Sequence, residues 1–162
     1  RGRVMYVKFK DKENDDVYLT FKKKADYANG NHVLIIPKYK GSLLFTKHKI
    51  RDIEFPGGKR EKGEASDTAA AREVFEETGA TIKYCEYIAQ YKVDRQIGMS
   101  FTKDVFMVEI EAITEQPDYF ETDGPLLYKS LSEIPEDNKS YLLKDPAILQ
   151  CLERVIELGF YS

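Results

Sequence analysis

Hydrophobic and polar positions alternate first in strand period and later in helix period. Val4, Tyr6 and Lys8 alternate with Met5, Val7 and Phe9, and a similar run spans Val17 to Phe21 after the polar pair Asp15-Asp16. β-Branched and aromatic residues between turn formers predict two strands. His32-Val33-Leu34-Ile35-Ile36 predicts a more deeply buried strand, ended by Pro37. Lys40-Gly41 then turns the chain into Ser42-Leu43-Leu44-Phe45, so a hairpin is expected. Two long candidates, Ile82 to Val93 and Phe101 to Ile110, flank a polar loop with Arg95 and Gly98, a spacing that permits antiparallel pairing. An acidic, turn-rich stretch from Glu115 to Gly124 precedes a short strand at Leu126-Leu127-Tyr128.

Helical signals appear twice. From Thr68 to Thr78 the residues favour helix, starting at Ser66 or Asp67 and stopped by Gly79, with Ala70, Ala71, Val74 and Phe75 expected to pack on a sheet. Near the C-terminus Asp145 is a cap and Pro146 a first-turn residue, while Leu149, Leu152, Val155 and Ile156 recur at helical spacing before Gly159. Mixed strands with two substantial helices predict an α+β fold, an α/β/α sandwich whose mixed sheet is flanked by helices. At 162 residues, positions 1–162 are read as one domain.

Charge narrows the classes of partner. With 25 Lys+Arg against 28 Asp+Glu the net charge is −3, so no global positive field exists to hold a DNA duplex. Cys85 and Cys151 are far apart and form no Cys-x-x-Cys pair; they read as buried, inert thiols rather than zinc ligands. No apolar stretch reaches the roughly 20 residues of a membrane span, and no signal-peptide core opens the chain, which predicts a cytoplasmic protein without membrane association.

The chemistry concentrates between Phe55 and Ala80. Phe55-Pro56-Gly57-Gly58-Lys59-Arg60-Glu61-Lys62-Gly63-Glu64 must turn tightly before the helix starts. On that helix Glu73, Glu76 and Glu77 fall at i, i+3 and i+4, so three carboxylates share one side. Carboxylates crowded in this way repel one another, and a divalent cation reverses that cost. Magnesium, a hard ion that takes oxygen ligands and substrate phosphates, suits the chemistry better than zinc. Without a cation the same pattern describes a solvated acidic face with Arg72 paired to Glu76.

Gly58, five intervening residues, Glu64, seven more, then Arg72-Glu73-Val74, Glu76-Glu77 and Gly79 resemble the signature box of the Nudix hydrolases. Ala80 departs from the larger aliphatic residue usual at the last position, a packing change that leaves every chemical group in place. Glu54-Phe55-Pro56-Gly57-Gly58, Tyr119-Phe120-Glu121-Thr122 and Gly124-Pro125 extend the resemblance toward a bacterial branch of nucleoside-triphosphate hydrolases, associated with cleavage of 8-oxo-dGTP.

The resemblance implies a fold covering most of the chain and a magnesium- or manganese-dependent hydrolase. Glu73, Glu76 and Glu77 would bind the metal with the Gly57 carbonyl as a further ligand, Glu64 would complete or orient the site, and Arg72 would brace the carboxylates. Gly58 and Gly79 would shape the box. Glu77, Glu76 and the loop carboxylate Glu121 are alternative general bases. Arg51 and Lys59 carry charge suited to phosphate, Phe55 is placed to wall a base pocket, and Tyr91 or Phe101 could add stacking surface. His32 and His48 need no catalytic role. The expected reaction converts a nucleoside triphosphate to the monophosphate and pyrophosphate, sanitising the nucleotide pool when 8-oxo-dGTP is the substrate. Removal of phosphates from an RNA 5′-triphosphate end is the alternative, and a catalytically silent nucleotide-binding module is a third reading.

Overall fold

The computed structural model describes residues 6–159. In chain order they form β1 (Tyr6–Lys10), β2 (Asp16–Phe21), β3 (His32–Tyr39), β4 (Ser42–His48), β5 (Asp52–Glu54), β6 (Gly57–Lys59), α1 (Ser66–Thr78), β7 (Ala80–Asp94), β8 (Phe101–Ile113) and β9 (Thr122–Tyr128). Three short 3-10 turns, Leu131–Glu133, Glu136–Asn138 and Tyr141–Lys144, lead into α2 (Pro146–Glu157). The sheet order is β1-β2-β7-β8-β3-β4-β5, with β6 also pairing β3 and β9 pairing β4. β3 and β8 run parallel, whereas the β7–β8 and β3–β4 pairs are antiparallel as their loops suggested.

The alternation along β3 explains the layers. Val33 and Ile35 pack with Ala69, Ala70 and Val74 of α1, while Leu34 and Ile36 join the cluster containing Ile148, Cys151 and Val155 of α2. Each helix therefore covers one face of a mixed sheet, the expected sandwich. Fully burying an Ile or Leu contributes about 1.5–3 kcal/mol, so the central strand anchors both layers. Asp145 caps α2 through Ala147 N–H, and Pro146 occupies its first turn.

The structure corrects several expectations. β3 does not stop at Pro37 but continues to Tyr39. Ile35 N–H donates to Pro56 O, and the nitrogen of Pro37, two residues on, faces that same side of the strand. There the pairing with β6 has ended at Leu34 and that with β4 begins at Lys38, so the missing donor falls in a gap of the ladder. On α1 the buried stripe is Ala69, Ala70, Val74 and Thr78; Ala71 is exposed and Phe75 is 41% exposed. On α2 the stripe is Ala147, Ile148, Cys151, Leu152 and Val155, which leaves Leu149 and Ile156 on its exposed flanks. Cys151 is buried as expected, but Cys85 is partly exposed; its thiol is pushed up to about 11 mainly by desolvation, which keeps it unreactive at neutral pH. Val4 and Met5 lie outside the described residues. Among those residues no helix is long and apolar enough to cross a membrane.

Gly79 ends α1 in the left-handed region with φ 76°, its N–H bonded to Phe75 O. A Cβ there would come within 2.0 Å of the Thr114 carbonyl oxygen, which belongs to backbone and cannot swing aside. Gly79→Ala should therefore cost more than about 1 kcal/mol. Urea unfolding should show a lowered midpoint; an unchanged midpoint would mean that this helix end relaxes freely.

Candidate active site

α1 delivers the acids because its axis is fixed by packing and its register by Gly79. Glu73 and Glu77 border the buried stripe of Ala70, Val74 and Thr78, so their carboxylates are drawn out of water together. Desolvation is the largest cause that pushes Glu77 up to about 9, followed by the charge of Glu73 and opposed by the Gly57 N–H, which lies 3.4 Å from Glu77 Oε1. Glu73 is pushed up to about 7, again mainly by desolvation, against the pull of Arg72. A hydrogen bond between the two carboxylates favours the ionised form of Glu73 and the protonated form of Glu77.

Arg72 occupies the centre of the other acids. Its Nε donates to Glu64 at 2.7 Å and its Nη2 to the second Glu64 oxygen at 3.0 Å. Nη1 lies 3.4 Å from Glu76 and 3.7 Å from Glu73, and Nη2 also donates to Lys59 O. The fork pulls Glu64 down to about 2 and raises the guanidinium further above its usual range. Arg72 thus contacts three of the acids at once, and Glu64 is committed to it. Among the described residues no three acidic, histidine or cysteine side chains already converge as a metal cage.

The residues nonetheless fit a divalent cation. Glu73 and Glu77 are two carboxylates raised mainly by burial, and a cation between them would favour their ionised forms. Glycine at position 58 makes the cradle: a Cβ there would stand 1.8 Å from Glu73 Oε2, inside the carboxylate itself. Backbone and carboxylate approach this closely only because the side chain is absent.

Backbone contacts position the far end of α1. The Glu77 carbonyl accepts from Thr46 Oγ1 at 3.1 Å and Thr122 Oγ1 at 3.0 Å, so β4 and β9 both hold this turn. Thr122 follows Glu121, whose exposed carboxylate contributes to the raised pKa of Glu73. The loop acid therefore faces the same cluster as α1.

The remaining candidates divide. Lys59 is exposed on β6 beside Gly58. Arg51 lies between β4 and β5, with Nε and Nη2 forking onto Glu54 at 3.0 and 2.9 Å. Phe55 does not wall a pocket: it is buried and stacked on Phe45 with ring centroids 4.7 Å apart. Tyr91 is likewise core, held in the cluster beneath α2. Tyr91 sits on β7 and Phe55 in the link between β5 and β6, and both rings are taken up by core packing. Phe101, in contrast, lines an open cavity of about 500 Å³ together with Arg95, Tyr141 and Asp145.

Three polar residues of this region were missed in the sequence. Lys103 sits with its Nζ 5.7 Å from the ring centres of both Tyr91 and Phe101, and burial lowers its pKa. Glu54 is buried beneath Arg51 and accepts from Ser140 Oγ at 2.9 Å. Asp104, fully buried, accepts from Gly30 N–H, Ser66 Oγ, Tyr87 OH and Gln90 Nε2, tying the start of α1 to the sheet. A charged residue inside an otherwise apolar strand was the available signal for Lys103 and Asp104.

Comparison with known proteins agrees with this geometry. The Nudix domain pattern matches residues 28–124, which run from the entry to β3 to the start of β9. Bacillus subtilis YtkD, provisionally designated an 8-oxo-dGTP diphosphatase, is 39% identical over 94% of this chain and 97% of its own length. The crystal structure of the Bacillus subtilis pyrophosphohydrolase BsRppH, solved as a point mutant, is 35% identical, with a TM-score of 0.84 over 96% of this chain and 99% of that one. A Nudix hydrolase from Nitrosomonas europaea shares the fold at 20% identity, with a TM-score of 0.63 over 80% of this chain and 90% of that one. With a glycine-cradled glutamate, an arginine-braced acidic helix and full-length relatives in agreement, the chain belongs to the Nudix hydrolase family.

Proposed function

We propose that the protein is a magnesium-dependent pyrophosphohydrolase acting on the 5′-triphosphate end of RNA. The observation that carries this reading is the full-length likeness to the pyrophosphohydrolase BsRppH. A second reading, hydrolysis of free nucleoside triphosphates including 8-oxo-dGTP, is favoured by the likeness to YtkD.

In both readings Glu73, Glu76 and Glu77, with the Gly57 carbonyl, would hold magnesium, or manganese in its place. The ion supplies charge neutralisation for the polyphosphate and a lowered pKa for water. Glu76, Glu121 or a Glu77 ionised by the bound cation would take a proton from the attacking water, whose oxygen bonds to phosphorus as the bond from that phosphorus to the bridging oxygen breaks. Attack at the α-phosphorus leaves a 5′-monophosphate and pyrophosphate. Arg72 orients Glu64 and Glu76, and Lys59 and Arg51 offer charge to the phosphate oxygens.

A product-resolved assay with magnesium tests the choice. A short 5′-triphosphorylated RNA, 8-oxo-dGTP and the ordinary triphosphates are compared at matched concentrations. The RNA should be converted with the highest kcat/KM and release pyrophosphate. A higher kcat/KM on 8-oxo-dGTP would select the second reading, and no turnover of any substrate by folded, magnesium-loaded protein would overturn both.

A further inference from the structure

Arg51 is restrained from two sides. The turn between β4 and β5 brings its backbone N–H to within 3.1 Å of His48 Nδ1, and its side chain forks onto both oxygens of Glu54. Glu54 is 5% exposed, and Oε1 also accepts from Ser140 in the segment that leads to α2. That segment is itself docked on β5: Ser140 N–H donates to Ile53 O at 2.8 Å, and Ile53 bridges to Lys139. Burying a carboxylate close enough to Glu77 to raise its pKa carries an electrostatic cost beside an acidic site. A surface arginine needs no such partner for solubility or folding.

What the arrangement achieves is orientation. With Nε and Nη2 committed to Glu54, Nη1 makes no hydrogen bond among the described residues, and the side chain remains 38% exposed. Lys49 N–H, two residues before Arg51, donates to Glu121 O at 3.1 Å, so the turn that carries the guanidinium is held against the segment of the loop acid, and Glu121 acts on the guanidinium electrostatically. A planar fork held at one edge presents its other edge in a fixed direction, the geometry that recognises phosphate oxygens.

We infer that Glu54 is a positioning residue: by gripping one edge of Arg51 it aims the free edge at the polyphosphate of the substrate. The inference rests on the polyphosphate reading of the site, but it concerns binding and requires neither a base nor turnover. Glu54 touches no substrate atom and acts only through Arg51, with Ser140 holding Glu54 in turn.

Inorganic tripolyphosphate with magnesium, titrated by calorimetry into the whole protein, provides the test, and it stays readable if none of the nucleotide substrates is hydrolysed. Arg51→Met should weaken binding about 10-fold or more. Glu54→Gln should do nearly the same, and the double variant should bind no more weakly than Arg51→Met alone. Arg51→Lys, exposed and safe for folding, should also lose most of the affinity, since it keeps the charge without the fork. Additive losses in the double variant would reduce Glu54 to a structural role. Wild-type affinity in Glu54→Gln or Arg51→Lys, or no tripolyphosphate binding by the wild type, would overturn the inference.

Discussion

Glu77→Gln should lower magnesium-dependent turnover on the order of 10²–10⁴-fold, the range for loss of a positioned acid or base, and should weaken magnesium binding as well. Stability should move the other way in metal-free buffer. The folded-state pKa of Glu77 is about 9, above its ordinary value of 4.5, so the folded chain holds the proton more tightly than the unfolded chain. The resulting stabilisation is fully present below pH about 4.5 and is lost as pH rises through about 9. Metal-free wild type should therefore melt at progressively lower temperature across that window. The glutamine variant, which cannot ionise, should show a shallower slope and melt higher at the alkaline end. Parallel melts with and without magnesium check both claims. Unchanged magnesium affinity together with a collapsed fold would remove Glu77 from the metal site.

Gly58→Ala should separate chemistry from folding more cleanly still. The atom that a new Cβ meets is Glu73 Oε2, the far end of a flexible side chain, rather than backbone. The carboxylate can swing away, so strand β6 and its pairing with β3 should survive. The displaced Glu73 would no longer face Glu77, and a shift of 1 Å in such a constellation can cost about 100-fold in rate. We expect a loss of that order in kcat with a melting temperature near that of wild type. Retained activity would show that the helix acids can regroup around a methyl.

These effects differ in how far the sequence revealed them. The spacing of Glu73, Glu76 and Glu77 and the stop at Gly79 were legible because helix periodicity and glycine conformation are local properties. The two helices and the long β7–β8 pair were legible for the same reason. The bordering position of Glu73 and Glu77, and with it their desolvation, depends on which stripe of α1 meets the sheet, and Phe75 suggested a stripe rotated from the real one. Phe55, in the link between β5 and β6, and Tyr91, on β7, were misread because an aromatic residue looks the same in sequence whether it faces a ligand or the core. Short β5 and β6 carry almost no periodic signal in three residues each, yet they present Glu54 and Gly58. Glu54 became interpretable only when Ser140, distant in sequence, was found against it.

The two threonine hydroxyls on the Glu77 carbonyl bear on how such an enzyme can diversify. Thr122 secures the exit of the β8–β9 loop to α1, immediately after Glu121. Insertions or deletions around Glu115–Asp118 would alter what overhangs the cleft while the acid next to Thr122 keeps its address. A change of length in that loop would leave the clasp on the Glu77 carbonyl, and with it the end of α1, where it is.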